Sequence, residues 1–421
     1  MDNLRSLRET SIGQIKAPVG SPPAIVVGLG ANGLAVTRAL HARGIRCIGI
    51  GVPEWQPSYT SRSCEVVRCR SWTEKALLEQ LAVIANDLQQ PAPLIVTKEE
   101  AVHWVFGNRE RLSKDFLMRW PSAEAFNLMM SKIEFQQLAI EEGWPVPVTL
   151  SISDKADLLS RLNDVPYPCI LKPAIKSSAY FQNSPAKAFI LHSEAELLRH
   201  YDLIARWDKE VVIQEWVGGD DHRITYSLAY YDKQSRPRAM FIGRKLRQCP
   251  IDCGNTAVAA PAPAEWVGPL AALSKKIFQR LQYQGIGSVE FKMRADGSPV
   301  IMEPTIGRTN WQSEIAVLNG VDIPSIAYFD LIGAHQLPVL RNLPPCKLVH
   351  GRMHARSLVQ QQRAGRLSLD SWLRERRGKK NYMLWRLNDP VPFFAASFRR
   401  LIVTFTRVPN KLMRKLRPRE A

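Results

Sequence analysis

The run Ala24-Ile25-Val26-Val27, followed without a break by Gly28-Leu29-Gly30-Ala31-Asn32-Gly33, constrains this chain more than any other stretch. A short β-branched apolar run reads as a buried strand, and a GxGxxG turn lets it pass straight into a helix, here predicted over Leu34–Arg43. A second strand, Ile45–Ile50, completes a βαβ unit. Such a turn suits a dinucleotide phosphate at a helix N-terminus, but the fingerprint also calls for an acid at the end of the second strand. That place holds Gly49-Ile50-Gly51, and the first acid, Glu54, comes only after Pro53. The expectation is therefore a tight turn whose small residues allow close packing.

The chain then continues with a strand at Leu94–Val96 and a helix running through Trp104. Near Trp120-Pro121 the pattern changes, and Asn127–Glu142 reads as one helix stopped by Gly143, Pro145 and Pro147. A domain boundary is expected near residue 125. Beyond it, strands at 169–171, 188–191, 211–214, 223–230, 239–242, 288–293 and 300–302 alternate with helices at 154–161, 194–207, 264–281 and 311–318. Short turns such as Ala295-Asp296-Gly297-Ser298 imply antiparallel pairing. The fold class is α/β plus α+β. It divides into a polar segment 1–22, an N-terminal α/β domain 23–125, a second domain 126–340 and a C-terminal extension 341–421.

Charge separates that extension from the rest. Of the 57 Lys/Arg and 39 Asp/Glu, 20 basic and 4 acidic residues fall in 341–421, so this stretch carries +16 and the remainder +2. Seven cysteines, an odd number without a CxxC pair, argue for reduced thiols and a cytoplasmic setting. The apolar run Val391–Phe398 is far shorter than the roughly 20 residues a membrane span needs, and Arg399-Arg400 interrupts it.

Four clusters in the second domain read as one site. Ser131-Lys132 begins the first. In Pro168-Cys169-Ile170-Leu171-Lys172-Pro173 a lysine ends a buried strand, an expensive place for a cation unless an anion meets it. Val212-Ile213-Gln214-Glu215-Trp216-Val217-Gly218-Gly219-Asp220-Asp221 leads a strand into an acidic turn. Finally, Ser288-Val289-Glu290-Phe291 and Val300-Ile301-Met302-Glu303-Pro304 form a hairpin with a carboxylate on each strand. Two lysines can neutralise phosphate oxygens, and two carboxylates on adjacent strands can share Mg²⁺. The combination fits a nucleoside triphosphate with magnesium.

The run from about 125 to 335 resembles the ATP-grasp superfamily, in particular its carboxylate–amine ligase branch, which includes D-aspartate ligase-like carboligases. The preceding hundred or so residues, with Leu94-Ile95-Val96-Thr97 and Asn108-Arg109-Glu110-Arg111-Leu112, look like the Rossmann-like pre-ATP-grasp domain of such enzymes. The resemblance implies that Lys132 and Lys172 contact ATP phosphates. It further implies that Gln214 and Glu215, with the backbone of Trp216 and Val217, read the adenine, and that Asp221 or Asp220 holds the ribose. Glu290 and Glu303 would ligate Mg²⁺. Arg308 would approach the transferred phosphoryl group, and Arg244, Lys245 and Arg247 form a basic set for the substrate carboxylate. The chain departs from the family's Glu-x-Asn-x-Arg ending: Thr305 stands at the amide position, Arg308 is one residue late, and Asn310 is the candidate replacement ligand. The phosphate-covering loop, Lys176 to Asn183, contains no glycine.

The implied reaction activates a small carboxylic acid as an acyl phosphate and joins it to an amine, with ATP and Mg²⁺ as cofactors. A catalytically degenerate ATP-binding module and a membrane-surface-associated accessory protein remain open as alternatives. For the basic extension, the readings are a solvated tail packed partly on the body, or an anionic membrane surface at the inner face of the membrane. Nothing resembles a nucleic-acid-binding signature, which disfavours that partner.

Overall fold

The computed structural model of the protein describes residues 16–174, 183, 188–208, 210–251, 254–338, 341–367 and 377–400. Five strands open the chain: β1 Ala24–Val27, β2 Cys47–Gly51, β3 Glu65–Arg68, β4 Ala92–Val96 and β5 Phe116–Leu117. They pair in parallel in the order β3-β2-β1-β4-β5. All four residues of β1 are fully buried, as a central parallel strand covered on both faces requires. The helix after the glycine turn begins earlier than the sequence indicates, at Ala31, and runs to Ala42.

The predicted single helix 127–142 is two helices, Ala123–Met130 and Lys132–Glu141. Ser131 between them is extended, with φ −86° and ψ 114°, and its hydroxyl accepts the Glu134 N–H at 3.2 Å. A serine cap of this kind stabilises the new helix start by about 1 kcal/mol. The break also sets Lys132 at the first position of a helix rather than mid-helix.

A small antiparallel sheet follows, of β6 Thr149–Ile152, β7 Cys169–Pro173, β8 Phe189–Leu191 and β9 Val211–Glu215, in the order β6-β9-β7-β8. Period-two alternation divides its faces. Leu150, Ile152, Cys169, Leu171, Val211 and Ile213 pack on Leu158, Leu197, Tyr201 and Ile204 of the covering helices. The other face, with Lys172 and Gln214, stays half-exposed.

The large sheet takes β10 Ile224–Tyr231, β11 Pro237–Cys249, β12 Asn255–Pro261, β13 Gly285–Met293, β14 Pro299–Ile306, β15 Cys346–Val349 and β16 Lys379–Tyr382. Its order is β14-β13-β10-β11-β12-β15-β16, antiparallel except for the last pair. One face buries Tyr231, Ile242, Val289 and Phe291 in the same cluster as Leu270, Ile277 and Phe278 of helix Ala264–Arg280. The other buries Tyr226, Leu228, Phe241 and Ala259 with Ile315, Ile323 and Ile326 of helices Glu314–Leu318 and Ile323–Leu331.

β15 and β16 come from the stretch that charge set apart, so its described part is built into the body. Helix Gly351–Arg363 packs on β11 and β12. Farther on, Asp389 ties the chain back to the first sheet's helix. Its carboxylate accepts from Arg38 Nε at 2.8 Å, Ser61 Oγ at 2.7 Å and the Arg62 N–H at 3.3 Å. Arg386 pairs with buried Glu314, whose carboxyl burial pushes up.

Candidate functional site

The glycine turn comes first, because its motif suggests a ligand. Gly33 is a glycine for a packing reason: a Cβ there would lie 2.1 Å from the Gly28 carbonyl oxygen. The place of the missing acid is filled from within the chain. A Cβ on Gly51 would meet the Tyr59 hydroxyl at 2.5 Å, one on Gly49 would meet Leu29 at 2.6 Å, and Ser58 Oγ bonds the Leu29 carbonyl. Asn32, at the helix start, donates to the carbonyls of Thr97 at 2.8 Å and Thr309 at 2.5 Å, and Thr309 Oγ1 donates back to Asn32 Oδ1 at 2.7 Å. The turn thus fastens the first sheet and its helix to the segment after β14.

That segment borders a cavity of about 320 Å³ in the large sheet. Strand register explains how its charged walls meet. Glu290 on β13 pairs with Glu303 on β14 and with Tyr226 on β10, and Tyr226 pairs with Gly243 on β11. Cross-strand partners share a face, so Tyr226, Glu290 and Lys245 (two residues beyond Gly243) all line the cavity. Lys245 Nζ lies 2.9 Å from Glu290, with its side chain 8% exposed. Lys132 Nζ, on the capped helix start, lies 3.4 Å from Glu303. Arg308, Ser288, Thr305, Asn310 and Gln312 also line the cavity, with Gly254, Asn255 and Thr256 of the β11–β12 side. The Tyr226 hydroxyl is buried without a hydrogen-bond partner among the described residues. Burial, then the nearby Glu290 charge, pushes its pKa up, so it stays a neutral donor.

The remaining candidates divide. On the small sheet, Lys172 Nζ is 3.2 Å from Gln214 Oε1, and Gln214 Nε2 donates to Thr149 Oγ1 at 3.0 Å, so both stand together on the half-open face. The Glu215 carboxylate is held by Arg294 at 2.5 and 3.1 Å and by the Val148 N–H at 3.2 Å. The Arg294 bond holds Glu215 below the usual carboxylate range. The Trp216 N–H donates to the Pro168 carbonyl, and the Val217 side chain is buried. At the acidic turn the two aspartates are not equivalent. Asp221 accepts the backbone and side-chain N–H of Gln248 at 2.9 and 2.8 Å, whereas Asp220 is exposed.

Three expectations change. Arg247 is 1% exposed and donates to Gln361 on helix Gly351–Arg363, so it is packed under that helix and does not line the cavity. Arg244 lies on the opposite face of β11 from Lys245; burial lowers its pKa, against the opposing influence of Glu265 and Asp220. Asn310 does line the cavity, but its amide is committed. Nδ2 donates to Ser288 Oγ at 2.9 Å, Oδ1 accepts from Arg308 at 2.7 Å, and the side chain caps the turn Trp311–Ser313. A second Arg308 nitrogen reaches Glu99 at 3.1 Å. Of the basic set expected on β11, Lys245 is the member that lines the cavity, whereas Tyr226, Gly254, Asn255, Thr256 and Gln312 are lining residues that sequence reasoning did not single out. The glycine-free loop lies outside the described residues, except for Asn183.

The donor chemistry fits a hard divalent cation. Two carboxylates face one another across paired strands, and no third His, Cys, Asp or Glu joins them among the described residues. Mg²⁺ is commonly held this way, with phosphate oxygens and water filling the other positions.

No protein-family model matches the chain. It is 26% identical over 253 residues to the D-aspartate ligase of Enterococcus faecium (strain Aus0004), which covers 56% of this chain and 58% of that protein. It is 26% identical over 194 residues to a D-alanine–D-alanine ligase of Ralstonia nicotianae, covering 42% and 53%. The match thus spans between half and three fifths of each curated relative. Among solved structures, N5-carboxyaminoimidazole synthetase from Staphylococcus aureus matches with a TM-score of 0.60 at 14% identity, over 84% of this chain and 88% of that one. Biotin carboxylase from Campylobacter jejuni, in a β-γ-ATP complex, also gives 0.60, at 15% identity over 77% and 74%. At these identities the likeness is one of fold.

Proposed function

We propose that the chain is an ATP-dependent carboxylate–amine ligase of the ATP-grasp superfamily, a reading supported by its similarity to two curated ligases and by its fold. One observation carries the reading: Glu290 and Glu303, register partners, open on a polar cavity that also holds Lys245 and Arg308. Anionic and cationic groups side by side are what a reaction between a polyphosphate–metal complex and a carboxylate requires.

In the proposed reaction a carboxylate oxygen attacks the γ-phosphorus and the bond to the bridging oxygen of ADP breaks. An amine nitrogen then attacks the acyl carbon, the bond to the phosphate oxygen breaks, and the amine gives up a proton. Mg²⁺, held by Glu290 and Glu303, would neutralise phosphate charge. Lys172 and Lys132, the latter beside Glu303, would hold phosphate oxygens. Gln214 orients the Lys172 ammonium. Asp220 is the aspartate free to meet a ribose. Lys245 and Arg308 position the acid, with Tyr226 donating a hydrogen bond, and no residue forms a covalent intermediate.

The ligase class, and not the particular D-amino acid, is what we carry over from the two named relatives. A small acid and an amine are the proposed substrates. A reducing, cytoplasmic setting agrees with the six described cysteines, all unpaired. The test is an ADP-release screen with Mg²⁺ over acids and amines, with mass spectrometry of the product. Release should require an acid, and the product should weigh the acid plus the amine less one water. Glu303→Ala and Lys172→Ala should lower turnover at least about a hundredfold. ATP binding without turnover across the panel would instead assign a degenerate binding module.

A further inference from the structure

The C-terminal part of the chain carries a surface that the ligase reading does not use. After the Asp389 tether, residues 391–400 are helical. Pro392 and Ala396, four apart, face the body, Ala396 at 8% exposure. Val391, Phe394 and Phe398 lie on the outer side, exposed by 52%, 59% and 66%, and Leu387 just before the helix by 89%. Spacings of three and four put the helical three in one stripe. Phe394 itself packs edge to face with Trp385 and Phe393, the three ring centroids lying 5.3 to 5.9 Å apart. The stripe is thus continuous with a partly exposed aromatic cluster. Water faces it, at the full cost of exposed apolar area.

Charge says what covers it. The described residues from 341 onward include 12 Lys/Arg and one acid, Asp389, which the Arg38 pair already occupies. Arg399 and Arg400 stand on the same helix. Arg399 donates to the Trp55 carbonyl at 2.9 Å and stacks 4.9 Å from the Trp55 ring, which brings a second tryptophan to the edge of the stripe. The sequence beyond, 401–421, adds six Lys/Arg against one Glu. Exposed apolar side chains on one helix with Arg399 and Arg400, in a stretch with this excess of cations, match a bilayer whose headgroups are anionic. A protein partner would have to be both apolar and strongly acidic. No helix among the described residues is long and apolar enough to cross a membrane.

We propose that Leu387, Val391, Phe394 and Phe398, with Arg399 and Arg400, form a docking face for an anionic lipid surface. The face holds the catalytic body at the membrane without inserting a span. It stands independently of the ligase chemistry, since none of these residues lines the cavity.

The test is sedimentation of the full chain with phosphatidylcholine vesicles containing phosphatidylglycerol, and with phosphatidylcholine alone. Binding is expected only to the anionic vesicles, and should weaken in high salt. Phe394→Ser with Phe398→Ser should reduce it about tenfold or more. Both side chains are exposed, so circular dichroism should be unchanged. Arg399→Gln with Arg400→Gln should reduce it by a smaller factor. Three results overturn the proposal: no binding to the anionic vesicles, equal binding to neutral ones, or undiminished binding by the Phe394/Phe398 variant. Concentration-dependent dimerisation abolished by that variant, with no vesicle binding, would assign the stripe to a second copy instead.

Discussion

The glycine turn at residues 28–33 and the β13–β14 hairpin both carry residue patterns that suggest a polar ligand, yet their interiors differ. At the turn, Leu29 and Tyr59 fill the space beside Gly49 and Gly51, and Asn32 is bonded to Thr97 and Thr309. At the hairpin, opposed carboxylates and Lys245 border about 320 Å³ of open space. The first motif is the more recognisable; the second has room. A binding motif specifies backbone geometry, and whether a ligand enters depends on which side chains the rest of the chain brings there. Asn32 at the turn is spent on joining the first sheet to the segment after β14, which is a structural use of the same backbone geometry.

The widest separation between packed and open positions should appear within β11. Lys245→Ala removes a cation from the cavity wall while leaving Glu290 partly solvated, so turnover should fall about a hundredfold or more with little change in urea midpoint. Arg247→Ala leaves a void under helix Gly351–Arg363, so the urea midpoint should fall clearly while turnover per folded molecule changes little. Steady-state ADP release and urea titration on both variants check this. The reverse pattern would break the distinction.

The turn offers a sharper contrast of smaller size. Gly33→Ala forces a Cβ against the Gly28 carbonyl and should cost about 2–4 kcal/mol of stability. Gly30 has extended backbone at φ −75° and nothing within 4 Å of the Cβ position, so Gly30→Ala should cost about 1 kcal/mol or less. Were a phosphate seated on this turn, Gly30 would be as intolerant as Gly33. Urea denaturation of both variants, with and without added NAD⁺, separates the two cases, and no stabilisation by NAD⁺ is expected.

Much of this was legible in the residues. Alternating apolar runs located the strands that matter, and Glu290 and Glu303, which the hairpin pattern singled out, are register partners on one cavity wall, with Lys132 beside Glu303. What stayed hidden has identifiable causes. Ser131 interrupts an otherwise helical pattern, and only its cap geometry shows the break. The choice of Lys245 over Arg244 follows from strand pairing, and the register shift between Lys245 and Arg247 defeats simple parity. The grips on Glu215 by Arg294 and on Asp389 by Arg38 span 79 and 351 residues, beyond any local pattern. The charge of the C-terminal stretch was plain, but not that β15 and β16 extend the large sheet.

A modest effect is expected on the packed side of β11, in its pH dependence. His354, on the helix that covers Arg247, has its pKa lowered to about 4 by burial, and secondarily by Arg247 and Lys380. Its ordinary value is 6.5. Between those two values the unfolded chain binds a proton that the folded chain does not, so stability must fall as pH falls through this window. Above pH 6.5 the histidine is neutral in both states and contributes no slope. The site is only partly buried, so solvent screening limits the loss to about 1–2 kcal/mol. Urea midpoints at pH 7.5 and 5.0 should show it, and His354→Gln should flatten that part of the difference. Lys245 and Glu290 belong to the open cavity, so the variant should leave turnover at pH 7.5 unchanged. A matching loss of turnover would mean that the covering helix and the cavity wall are coupled through β11 after all.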